Sequence, residues 1–99
     1  MEAAMEFLAD TDDKFAHCKT EMLRSEILVE RAKARIFLQL EGNNDERKNG
    51  AKISSHVTDM EDVYIKWIEE YEGLRAKRQR AELLIDVWRT IEASRRKVT

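Results

Sequence analysis

The 99-residue sequence has no proline, three glycines and one cysteine, and each scarcity excludes something. Without proline and with so little glycine, the chain lacks the punctuation that many short strands and tight turns need, so a sheet-rich sandwich or barrel is excluded. Cys18 has no second cysteine to pair with, which removes the disulfide-stapled secreted scaffolds and fits a reducing cytoplasm. Isolated glycines at 42, 50 and 73 make no phosphate-cradling loop. The longest purely apolar run, Ile36-Phe37-Leu38, is far short of the roughly 20 residues that cross a bilayer, and the acidic start from Met1 to Glu6 is not that of a secretory signal. A cytoplasmic chain with no membrane contact is expected. His17, Cys18 and His56 are too few and too scattered for a structural zinc site, so neither metal nor cofactor is expected.

What is present points to long helices. Charged residues make up 38% of the chain and hydrophobic ones 42%, including two Trp, two Tyr and three Phe, which is too apolar for disorder. Residues 1–10 suit a short helix or docked arm. Thr11-Asp12-Asp13 reads as a helix start, with Thr11 the N-cap and two carboxylates near the positive end of the dipole, and nothing breaks the chain again until Gly42. A long helix over 12–41 follows, with Gly42 at the place of a left-handed cap. Residues 42–57 form a turn and a short helix that Asn44 can cap and Asn49-Gly50 can end. Thr58-Asp59-Met60-Glu61 has the capping-box pattern, and a second long helix runs over 58–97.

The second helix has a clean seam. Met60, Tyr64, Trp67, Tyr71, Leu74, Arg78, Ala81, Ile85 and Trp88 follow alternating steps of four and three, the spacing of a coiled coil, and Leu84 and Ile91 add a second contact surface near its end. Phe15, Cys18, Met22, Val29, Ala32 and Ile36 answer on the first helix, broadened by Leu23, Ile27, Leu28, Phe37 and Leu40. The expected fold is all-α: a long antiparallel helical hairpin, coiled-coil-like, with short N-terminal and connecting helices. Its apolar faces are wider than one partner helix covers, so a homo-oligomer is expected, with Met60, Trp67, Leu74, Ile85 and Trp88 in the core or oligomer seam.

No catalytic constellation is found. Ser54-Ser55-His56 are neighbours in sequence, but serines ahead of a helix are capping chemistry, and no orienting group completes a nucleophile and base. The charge pattern says more. Residues 1–13 hold five acids and no base, residues 59–72 six acids and Lys66, and residues 74–99 eight bases against three acids. At about 100° per residue Arg75, Arg78, Arg89 and Arg96 fall along one side of the second helix, with Tyr64 and Tyr71 near the same edge, an arrangement suited to single-stranded nucleic acid. Lys33 and Arg35, beside Arg31, form another basic cluster. The competing reading has the acidic N-terminus neutralise the basic C-terminus within the fold or across an oligomer interface.

Several stretches carry a resemblance. Ala4 to Asp12, then Ala34-Arg35-Ile36-Phe37-Leu38 leading to Glu41-Gly42, Glu46-Arg47, and finally Leu74-Arg75-Ala76-Lys77-Arg78 through Ala81-Glu82-Leu83 to Asp86-Val87-Trp88-Arg89 and Arg95-Arg96 are similar to small proteins of tailed bacteriophages and prophages encoded among recombination genes. More distantly, Glu21-Met22-Leu23-Arg24 and the basic stretch ending near Gly42 resemble the recombination mediator of T-even phages (UvsY-like). That resemblance implies a helical oligomer in the bacterial host cytoplasm that binds single-stranded DNA, helps displace the single-strand-binding protein and loads a recombinase. The expected phosphate contacts are Lys33, Arg35, Arg75, Arg78, Arg89, Arg95 and Arg96, with Tyr64 and Tyr71 as stackers. The alternative is a non-enzymatic adaptor or inhibitor that docks on a host nuclease or defence complex without touching DNA, its acidic 59–72 strip imitating nucleic acid.

Overall fold

A computed structural model describes residues 1–98 as three helices, α1 (Glu2–Gln39), α2 (Asn44–Ile53) and α3 (Ser55–Val98). α1 and α3 pack side by side as a helical hairpin, and α2 lies against both where they are joined. The molecule measures 79 × 22 × 14 Å. A helix with its side chains is about 10–12 Å across, so the strut is one layer thick and has one buried seam.

The seam follows the heptad spacing. On α3, Met60, Tyr64, Trp67, Tyr71, Leu74 and Arg78 are half-buried, and Ala81 and Ile85 are buried, as expected. Val57 extends the series one step back and is fully enclosed, which contributes about 1.5–3 kcal/mol for a side chain of its class. Trp88 departs from it, at 41% exposed. On α1 the facing positions are Ala4, Leu8, Thr11, Phe15, Cys18, Met22, Ser25, Val29, Ala32 and Ile36, all buried or half-buried.

Five helix starts and stops differ from the sequence expectation. α1 runs unbroken from Glu2, with no separate arm over residues 1–10 and no start at Thr11. The Thr11 hydroxyl donates to the Phe7 carbonyl one turn back (2.6 Å), which satisfies it inside a helix and removes the need for a cap. α1 then stops at Leu40, whose backbone is extended, and Gly42 takes its positive φ of 112° in the turn beyond. A side chain there would also collide with Glu46. α2 is capped by Asn43 rather than Asn44, its side chain accepting from the Glu46 amide at 2.9 Å, and Gly50 sits inside α2 against Leu40 instead of ending it. α3 begins at Ser55, three residues before the Thr58 capping box. The Ser54 carbonyl accepts from both the Thr58 amide and the Thr58 hydroxyl, so that hydroxyl is spent as a donor.

α2 closes the joined end. Arg47 donates from Nε to the Phe37 carbonyl at 2.9 Å and lays its guanidinium over the Phe37 ring, 4.0 Å from the centroid. This covers the last exposed carbonyls of α1 with a cation, the sign that the helix dipole favours there.

Candidate nucleic-acid interface

The register of the hairpin decides which candidate residues are available to a ligand. Arg78 bonds the Leu8 carbonyl and the Phe15 ring meets Tyr71, pairs whose residue numbers both add to 86. Met1 therefore stands level with about residue 85, and α3 continues alone from there to Val98, a projection of about 20 Å at ~1.5 Å per residue. This stagger explains a molecule 79 Å long, beyond the ~66 Å of α3 itself.

Arg78 is the main correction to the candidate set. Its guanidinium sits inside the seam, donating to the Leu8 carbonyl (2.9 Å), to Thr11 Oγ1 (2.7 Å) and to Asp12 Oδ1 (2.6 Å), and it lies over the Phe15 ring at 5.0 Å. An arginine so engaged, with its side chain 16% exposed, spends three of its five N–H donors inside the chain and is poorly placed to hold phosphate. Tyr71 meets Phe15 edge-on at 5.0 Å, and Tyr64 is half-buried on the same line, so neither ring is a stacking platform. The line drawn through Arg78, Tyr71 and Tyr64 is the seam itself.

The other candidates remain on the surface. Arg75 makes a long contact with Glu72 on its own helix (3.5 Å) and Lys33 a similar one with Glu30, exposed pairs that contribute little and leave both cations to solvent. Arg35 is exposed. Arg89, Arg95, Arg96 and Lys97 all lie on the projecting part of α3, where Arg95 also contacts Glu92 at 3.3 Å. The acids of residues 1–13 do not reach them: among the described residues Arg78–Asp12 is the one ion pair that joins two helices. That pair is where the acidic start of α1 meets the basic part of α3.

Two exposed cations, Lys77 and Arg80, were outside the expected set because they fall off the Arg78 line. They flank the groove between α1 and α3 beside Phe7 and Leu84. Cys18 is buried in the seam, His17 meets the Trp67 ring edge-on at 5.7 Å, and no group of three potential metal ligands occurs among the described residues. No helix of the described residues is long and apolar enough to cross a membrane. No family model, curated protein or solved structure matches the chain.

Proposed function

We propose that this chain is a non-enzymatic, mediator-like accessory protein of phage DNA recombination that assembles with copies of itself and holds single-stranded DNA by its phosphates. The stagger of the hairpin carries this reading. It sets Arg89, Arg95, Arg96 and Lys97 on a projecting helix beyond the acidic start of α1, exposed along its surface although Arg95 also contacts Glu92. Exposed cations in a row neutralise a phosphate backbone without reading sequence, and the binding falls steeply with salt. A net charge of −2 keeps the affinity of one chain low, and several chains bound to one strand raise it by avidity. A recombinase or a single-strand-binding protein is the protein partner such a role requires. The test is fluorescence anisotropy with labelled oligo-dT at 50 mM salt. Binding by the native chain, and its loss when Arg89, Arg95 and Arg96 become Glu, is the expected result; no binding by folded, assembled protein contradicts it.

A second reading has its own observation. Leu83, Leu84, Val87, Trp88 and Ile91 are 41–63% exposed within nine residues of α3, an apolar cluster that suits a protein surface better than DNA. In this reading the chain is an adaptor or inhibitor of a host nuclease or defence complex. Retention of that complex at high salt, with nucleic acid digested away, would select it over DNA binding.

A further inference from the structure

One face of the hairpin carries a groove between α1 and α3 that runs without a break from Leu84 to Val63. Its three stretches share walls. Lys77 belongs both to the stretch beside Phe7 and Leu84 and to the one beside Gly73, and Lys14 and Glu70 belong to that second stretch and to the third, beneath His17 and Trp67. The third is the largest, about 450 Å³. Gly73 stands midway, exposed, and a Cβ added to it would meet nothing within 4 Å. Glycine weakens a helix interior, and no neighbour in its own chain requires the missing side chain.

We propose that a second copy of this chain occupies the groove, α3 against α3 and antiparallel, about a two-fold axis passing between Gly73 and Leu74. The inference rests on the self-assembly part of the function proposed above and not on its DNA part. Complementarity along α3 argues for it. With the axis there, Leu74 faces the gap at the partner's Gly73, Glu70 faces the partner's Lys77, the Trp67 ring faces the partner's Arg80, and Val63 faces the partner's Leu84. Symmetry makes each contact twice. The first is a side chain into a gap, the second an ion pair, the third a cation against an aromatic face and the fourth apolar on apolar.

The register is specific. A slide of one heptad in one direction sets Lys77 against Lys77, and in the other sets Glu70 against Glu70. Either slide places like charges together beside apolar surface, the kind of mismatch that discriminates against wrong pairings. Val63 and Leu84, 45% and 61% exposed in the single strut, are the apolar residues that the pairing covers. The product is an antiparallel four-helix assembly two layers thick, in which both basic α3 ends stay at opposite tips.

The test is the solution mass of the full chain by light scattering, without DNA. The native chain should have twice its 11.7 kDa. Glu70→Lys and Lys77→Glu should each weaken pairing by roughly tenfold or more, and the double variant Glu70→Lys/Lys77→Glu should restore it. Gly73→Leu should keep the helical circular dichroism of the hairpin, because the space above it is open, and yet be monomeric. A monomeric native chain, an assembly indifferent to the single charge reversals, or a double variant as impaired as the singles would overturn the proposal. A native chain of twice the chain mass that does not bind oligo-dT would count against the DNA reading alone.

Discussion

The joined end and the open end of the strut contain the same kinds of residue in different company. At the joined end three helices meet, and Val57 and Ala51 are almost wholly enclosed while Arg47 covers Phe37 and the last turn of α1. At the open end α3 outlasts α1, and Leu83, Leu84, Val87, Trp88 and Ile91 stay 41–63% exposed. Hydrophobicity does not separate the two sets. The number of neighbouring helices does, because a single-layer hairpin buries one stripe per helix and a helix running alone buries none. Stability of the single chain is therefore concentrated toward the joined end, and the open end keeps its apolar side chains exposed.

The largest effect that would sharpen this contrast is Val57→Asp against Trp88→Asp. An unpaired carboxylate at the enclosed site should cost about 3 kcal/mol or more, and the same change at the open end less than about 0.5 kcal/mol, as read by urea denaturation of dilute protein. Equal costs would break the contrast. Between the two ends, Arg78→Ala removes donors to Leu8, Thr11 and Asp12 together, and a loss of about 2 kcal/mol is expected. Because Asp12 keeps its access to water at 65% exposure, the loss should stay below that of a stranded buried charge. Asn43→Ala should cost about 1 kcal/mol by removing the cap of α2, with faster amide exchange confined to α2. The smallest expected effect is Arg75→Ala, within about 0.5 kcal/mol, since its contact with Glu72 is long and exposed.

Much of the fold was legible in the sequence because the heptad period reports burial directly. Met60, Tyr64, Trp67, Tyr71, Leu74, Arg78, Ala81 and Ile85 occupy the seam that the spacing assigns them. Trp88 fits the period and yet is exposed, since the period of one helix does not say where its partner ends. Ser25 was missed because a polar residue gives no hydrophobic signal, although it is 4% exposed. Ala4, Leu8 and Thr11 were missed for another reason: Thr-Asp-Asp has the composition of a helix start, and only the Thr11 bond to Phe7, made within a continuing helix, removes the break.

The candidate site was legible in part. Its cations on the projecting end of α3 were chosen from charge alone and are exposed. Arg78, Tyr71 and Tyr64 were chosen from a helical wheel that could not tell the seam from the surface, and the same wheel hid Lys77 and Arg80. Charge segregation along the chain also suggested that the two ends neutralise each other within the fold or across an oligomer interface; the Leu8–Arg78 and Phe15–Tyr71 pairs supply the register of the hairpin, which sequence spacing leaves open.

The central claim is that this strut works as more than one copy and uses its projecting basic helices on single-stranded DNA. The most direct measurement is the solution mass of the native chain with and without oligo-dT at 50 mM salt. The expected result is twice the chain mass of 11.7 kDa alone and a heavier complex with the oligonucleotide. A mass of 11.7 kDa in both samples would contradict it.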